Sequence, residues 1–138
     1  LASGAIDNPA FPEDAAGVGE NFFNTNYHLD VTNSTTQDVA TRFAASYGEE
    51  MKTSAVHSYE AVSLIAQALE VSCSNDPLAL RDAISGIEAD SLLASLGPIK
   101  FDDAGENTNA SPIVMQVQDG VIVQVYPEAV AESAPRFN

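Results

Sequence analysis

The sequence predicts an α/β fold, and three observations carry that prediction. Apolar residues recur at helical spacing between Ser34 and Ser72, a short apolar segment runs Gly97-Pro-Ile-Lys-Phe-Asp102, and two alternating apolar runs flank Asp119-Gly120. With 138 residues, 45% of them hydrophobic, the chain is long enough to bury a core of one domain's size. Only 7% are aromatic and Trp is absent, so that core must be built largely from Ala, Val, Leu and Ile.

Residues 1–17 are rich in Gly, Pro and Asp; Asp7-Asn-Pro9 predicts a short helix through residue 14, with Pro9 in its first turn. Val18 to Phe23 reads as a strand weakened by Gly19, and Asn24 to Asn33 as a polar connector. The first long helix is expected at Ser34-Thr-Thr-Gln37, where Ser34 caps and Gln37 reaches back in a capping box. Val39, Phe43 and Tyr47 follow at four-residue steps, with Ala40 and Ala44 beside them, until Gly48 supplies a left-handed stop.

A second helix is expected from Thr53 to Ser72, with Val56, Tyr59, Val62, Ile65 or Ala66, and Leu69 as its buried stripe. Asp76 as cap and Pro77 in the first position open a third helix carrying Leu78, Leu80, Ile84 and Ile87. Leu92 to Leu96 fits neither period. Pro98 to Phe101 reads as a short strand closed by the turn Asp102-Asp-Ala-Gly105. The strongest β signal is the hairpin Ile113–Gln118, Asp119-Gly120, Val121–Tyr126, ended by Pro127. The tail from Ala129 to Asn138 reads as helix-prone and then frayed.

Twenty acidic residues against five basic ones give a formal charge of −15. Such a chain repels phosphate backbones and anionic membrane surfaces, which argues against a nucleic-acid partner. Cys73 is the single cysteine, so no intrachain disulfide forms; no basic residue adjoins it to favour a thiolate. No stretch approaches the roughly 18 consecutive apolar residues of a membrane span, and no signal peptide opens the chain. The opening Leu1-Ala-Ser-Gly-Ala-Ile-Asp-Asn-Pro9 reads like the interior of a longer protein.

Enzyme chemistry finds no support. There is no Gly-x-Ser-x-Gly elbow, no phosphate loop, and neither His28 nor His57 has a paired nucleophile or a second metal ligand at a fitting spacing. Asp102-Asp-Ala-Gly-Glu-Asn-Thr-Asn109 offers oxygen donors but lacks the alternating acids and terminal Glu of a calcium loop, so a tight turn explains it better. Asn33-Ser-Thr35 and Asn109-Ala-Ser111 are glycosylation sequons, which matter only in a secretory pathway that glycosylates. No cofactor and no metal site is expected.

An ordered set of short segments resembles the C-terminal part of the periplasmic-binding-protein type I family, the substrate-binding subunits of branched-chain amino-acid-type ABC importers. The set is Ser3-Gly4 with Pro9-Ala-Phe11; Ala15-Ala-Gly-Val18 leading to Phe22-Phe23; Phe43-Ala-Ala-Ser-Tyr47-Gly48; Tyr59-Glu-Ala-Val62 with Ala68-Leu69; Leu80-Arg-Asp-Ala83; Gly97-Pro-Ile-Lys-Phe-Asp102 with Gly105; and Val117-Gln-Asp-Gly120 before Pro127. No single piece is specific, but their order and spacing cover nearly the whole chain.

The resemblance implies a fragment of a bilobed fold with parallel sheets flanked by helices, plus a C-terminal hairpin. Residues 1–24 would end the second lobe, 25–111 belong to the first, and 112–138 return to the second. It further implies an extracytoplasmic solute-binding protein, periplasmic or lipid-anchored, that captures a small polar solute between lobes and docks with a membrane permease. Strands lacking their expected neighbours lead to the expectation that copies of the chain pair edges or swap segments.

Three residues are carried over as solute contacts. Ser3 stands where amino-acid-binding members place an acid that grips the ligand's ammonium, a departure that weakens the case for an α-amino acid; an ordinary turn serine is the competing reading. Ser54 lies five residues before Tyr59 at a helix N-terminus, where hydroxyls and N–H groups favour anionic groups; a plain helix cap is the alternative. Phe23 falls at the crossing between lobes and competes with a core-packing role. A different class of function, a ligand-sensing or protein-interaction domain with an acidic surface, fits the same fold.

Overall fold

The computed structural model describes residues 2–3, 11–15 and 17–137, with the backbone alone at 2 and 3. The chain divides into two compact units, Leu1–His28 with Pro112–Asn138, and Leu29–Ser111.

The first unit is built on a four-stranded sheet in the order β1-β2-β3-β4. Strand β1 (Ala2–Ser3) runs parallel to β2 (Phe23–Asn26), which pairs antiparallel with β3 (Ile113–Gln118), itself paired antiparallel with β4 (Val121–Tyr126). Parallel pairing among these strands is therefore confined to β1 and β2. The hairpin stands where the alternating pattern put it. Asp119 at φ 55° and Gly120 at φ 77° supply the two left-handed positions that a two-residue hairpin turn of the I′ kind demands.

The expected strand from Val18 to Phe23 is corrected: left-handed backbone at Gly17 (φ 81°) and Asn21 (φ 62°) makes this stretch a turn, with Val18 exposed. The strand begins at Phe23 and includes Asn24, Thr25 and Asn26, which composition assigned to a connector. Asn24 and Asn26 have low strand propensity, but pairing of the segment with Met115, Val114 and Ile113 overrides it. Helix α1 (Phe11–Asp14) is a single turn; the rest of the helix expected from Asp7 lies outside the described residues. Phe11 packs on Phe22 with ring centroids 5.6 Å apart. Gly19 is required here, because a Cβ on it would lie 2.9 Å from the Phe11 ring.

Over the described residues to Phe137, the C-terminal tail is not the frayed helix expected. After a single 3-10 turn at Glu128–Val130 it is held by side-chain amides from the sheet. Gln116 accepts from Arg136 N–H (2.8 Å) and donates to Arg136 C=O (2.7 Å), and Gln118 donates to Ala134 C=O (2.9 Å). Two residues apart on one strand, the two glutamines share a face of the sheet.

The second unit holds α2 (Ser34–Tyr47), α3 (Thr53–Ser72) and α4 (Pro77–Ser85). The α2 cap is Asn33 rather than Ser34: its Oδ1 accepts from Thr35 N–H at 2.8 Å, while Gln37 Nε2 donates to Val31 C=O. Gly48 closes the helix at φ 72°, and Asp76 caps α4 through Leu78 N–H and Ala79 N–H. Val39 of the expected α2 stripe is buried, Phe43 half-buried and Tyr47 exposed against the Phe43 ring.

The face of α3 is the main correction. Val56, Glu60, Leu64 and Ala68 are buried, whereas Tyr59, Val62, Ile65 and Leu69 of the expected stripe are exposed. Leu64 and Ala68 join Ile87 and Ile99 in a core bordered by Leu80, Ala83 and Ile84 of α4. Apolar residues on several sides of α3 left the periodicity undecided, and packing against α4 chose the face. Nor does Pro98–Phe101 form a regular strand: it makes isolated bridges, Ile99 to Ala89 and Phe101 to Asn107. Pro98 has no N–H to donate, and the Asn107 side chain takes the Lys100 N–H in place of a ladder partner. The ambiguous Leu92-Leu-Ala94 is buried, with Leu93 bridged to Leu29.

Candidate functional site

The three residues carried over as solute contacts fall in separate elements. Ser3 ends β1, its backbone in register with Thr25 of β2; its side chain lies outside the described residues. Phe23 opens β2, half-buried, with its ring stacked on Phe137 of the tail at a centroid separation of 5.8 Å and an interplanar angle of 27°. Ser3 and Phe23 belong to the first unit and Ser54 to the second.

Ser54 is the second residue of α3 and is exposed. It is not the cap, which is Lys52 and makes no side-chain capping bond. The Ser54 carbonyl accepts from Ser58 Oγ at 3.0 Å, so the first turn is tied along its own length. An N-terminus without a capping side chain keeps its positive end of the helix dipole for other partners.

The first unit carries buried amides that sequence reasoning did not single out. Asn24 pairs in register with Met115, which pairs with Gln124 on β4, so the three share one face of the sheet. Asn24 and Gln124 are fully buried, and Gln124 Nε2 lies 3.0 Å from His28 Nδ1. Amide residues inside a strand that otherwise alternates Val, Met and Ile were the available signal.

The second unit contains a cavity of about 400 Å³ edged by Tyr59, Glu60, Ser63, Gln67, Glu88 and Asp90. Glu60 is buried within it and takes two hydrogen bonds on one oxygen, from Leu92 N–H (2.6 Å) and Ser91 Oγ (2.9 Å). A carboxylate in mid-helix, four residues after Val56 and four before Leu64, was the signal for it. A second hollow of about 640 Å³ lies between α4 and the Asp102 turn, floored by Leu80, Ile84 and Phe101. There Asp102 Oδ1 accepts from Ala104 N–H and Glu106 N–H, both at 2.9 Å, so the turn satisfies this oxygen itself.

Among the described residues no group of three or more His, Cys, Asp or Glu side chains converges as cation ligands. No described helix is long and apolar enough to cross a membrane. Among the described residues, polar side chains hold loops, helix caps and the tail, as at Asp30, Asn33, Asp76, Asp102, Gln116 and Gln118.

One unit is built on a four-stranded sheet and the other carries the three long helices, an α/β composition. A model of the periplasmic binding protein family matches residues 2–121, and the chain belongs to that family. It is 28% identical over 133 residues to the Leu/Ile/Val-binding protein homolog 7 of Brucella abortus, covering 89% of this chain and 33% of that protein.

Among solved structures it is similar to an ABC transporter substrate-binding protein from Desulfitobacterium hafniense in complex with Leu. The TM-score is 0.72 and the identity 23%, over 91% of this chain and 35% of the other. A solute-binding protein of an ABC transporter from R. palustris, in complex with benzoate, gives a TM-score of 0.66 at 20% identity, over 89% and 34% of the two chains. At these identities the structural likenesses establish the fold. The chain spans about a third of the length of the relatives it matches.

Proposed function

We propose that this chain is the C-terminal part of an extracytoplasmic solute-binding protein that serves an ABC importer. The carrying observation is the family match over residues 2–121, supported by fold likeness to substrate-binding proteins crystallised with Leu and with benzoate. In this reading residues 1–24 and 112–138 belong to one lobe and 25–111 to the other, and the protein works in the periplasm beside a membrane permease. Ser3, Phe23 and Ser54 contact the solute.

The solute class is a small polar molecule: an amino acid, an amide or an organic acid. Two features favour an anionic group without an ammonium. Ser3 is a neutral hydroxyl where an ammonium would need a carboxylate, and Ser54 sits at a helix N-terminus, which favours anions. Phe23 and Phe137 offer aromatic surface for an apolar body.

The test is thermal unfolding of the full-length protein against branched-chain amino acids, amides and aromatic or aliphatic carboxylates. A carboxylate is expected to raise Tm by mass action, and Ser54→Ala is expected to reduce the shift without lowering the ligand-free Tm. No response to any of these solutes would defeat the reading; a response to amino acids alone would defeat the preference for carboxylates.

A further inference from the structure

The hairpin turn holds the one Asp-Gly pair of the chain, Asp119-Gly120, and the Glu20 carboxylate lies across it. Such a pair has its own chemistry. Glycine carries the least crowded amide nitrogen of any residue, and the preceding aspartate offers a carboxyl carbon for it to attack. The C–N bond to Asp119 Cγ forms as a Cγ–O bond of the neutral acid breaks, and the carboxyl OH leaves with the amide proton as one water. Water then reopens the succinimide ring. Opening at the main-chain carbonyl leaves the backbone running through Asp119 Cβ, an isoaspartyl link of unchanged mass.

We propose that Asp119 is a site of isoaspartate formation and that Glu20 sets its rate by holding the turn shut. Asp119 at φ 55° and Gly120 at φ 77° are both left-handed. In that region ψ is roughly +47°, which turns the following amide nitrogen away from the Cβ side of the residue. Ring closure needs the nitrogen and Cβ on the same side, so the folded turn is unreactive and has to open first.

Glu20 binds both amides that have to move. One oxygen takes Asp119 N–H at 2.8 Å, and the other takes Gly120 N–H, the nucleophile itself, at 3.1 Å. Arg136 Nη1 also holds Asp119 Oδ2 at 2.8 Å, but both side chains of that pair are exposed and the pair contributes little. Asp119 and Gly120 are themselves exposed, so water reaches the ring once it forms. An isoaspartyl link adds a main-chain carbon inside a two-residue turn whose dihedrals match the twist of β3 and β4, and the modified hairpin loses that match.

Incubation of the full-length protein at neutral pH and physiological temperature tests this. Peptide mapping and methyl transfer by an isoaspartyl methyltransferase read the product. The folded wild type is expected to form isoaspartate at Asp119 more slowly than the same protein held unfolded in urea. Glu20→Ala is expected to speed formation by about fivefold, through a larger open population. Glu20→Gln keeps one acceptor and is expected to give a smaller gain. Adding Gly120→Ala to Glu20→Ala is expected to abolish the gain, because a methyl group beside the attacking nitrogen crowds it. Asn33-Ser34 and Asp90-Ser91, in the other unit, report any general loss of structure and are expected to keep their wild-type rates. Equal rates in the folded and urea-unfolded wild type, no gain with Glu20→Ala, or a gain shared by Asn33 and Asp90 would each overturn the proposal.

Discussion

Glu60 of α3 accepts the backbone N–H of Leu92 at 2.6 Å, tying a helix to a buried segment 32 residues further along the chain. The same oxygen accepts from Ser91 Oγ, and Leu92 returns its carbonyl to Thr36 Oγ1 of α2 at 3.1 Å. One irregular segment, with Leu92, Leu93 and Ala94 buried, is thereby fixed to two helices by polar bonds sheltered from water. Such bonds cost little to keep and much to break, because a buried group loses its partner and finds no solvent in exchange.

Glu60→Ala is therefore expected to destabilise the chain by about 3 kcal/mol, combining a lost charge-assisted bond with an orphaned N–H. Glu60→Gln keeps an acceptor in place and is expected to cost only about 1 kcal/mol. Urea unfolding with a constant m-value checks both. Equal losses for the two variants would show that charge, not hydrogen bonding, is what matters at this position.

The hairpin tip is held from outside the hairpin. Glu20 accepts from Asp119 N–H (2.8 Å) and Gly120 N–H (3.1 Å), one bond to each carboxylate oxygen. Glu20→Ala is expected to lower stability by about 1 kcal/mol, since the site is exposed and water replaces the lost acceptor. Faster hydrogen exchange at Asp119 and Gly120, with the central ladder of β3 and β4 still protected, is the specific signature. Uniform loss of protection across both strands would contradict this local role.

Gly120→Ala probes the turn itself. At φ 77° a Cβ meets no neighbouring atom within 4 Å, so the effect isolates backbone strain from crowding. The expected loss is about 1–2 kcal/mol, read as a lower Tm with little change in fold. A neutral result would mean the turn relaxes to another geometry, which β3–β4 amide exchange would reveal.

The tail depends on two glutamines. Gln116→Leu removes both bonds to Arg136 and is expected to expose residues 131–137 to proteolysis while the sheet stays folded. Gln118→Leu, which loses the bonds to Ala134 C=O and Ser133 Oγ, is expected to act in the same direction. The Arg136–Asp119 ion pair is exposed at 49% and 77%, so Asp119→Asn is expected to leave tail protection nearly unchanged. Limited proteolysis followed by mass spectrometry separates these cases.

Asp76→Ala tests a local instruction read from sequence. Its carboxylate caps Leu78 N–H and Ala79 N–H at 3.0 and 3.1 Å, ahead of Pro77. A loss of about 1 kcal/mol is expected, with Asp76→Ser recovering most of it.

What was legible in the sequence is what neighbouring residues decide among themselves. The span Thr53–Ser72, the Asp76-Pro77 start, the Gly48 stop and the Asp119-Gly120 turn all follow from caps, breakers and left-handed positions acting over a few residues. The ordered short segments also identified the family. Ser3, Phe23 and Ser54 are proposed solute contacts by resemblance alone; the buried Glu60, Asn24 and Gln124 were not legible, because isolated polar side chains look like surface until burial is known.

Tertiary structure decided the rest. Asn24–Asn26 became a strand because β1 and β3 hold it on both sides, a pairing with β3 some 90 residues away that local propensity does not encode. The buried face of α3 was set by α4, since several of its sides carried apolar residues and only a packing partner distinguishes them. The tail was fixed by amides of β3 rather than by a helix of its own. Short-range steric and capping rules act within a few residues of sequence, while burial and strand pairing depend on partners that only the folded chain brings close.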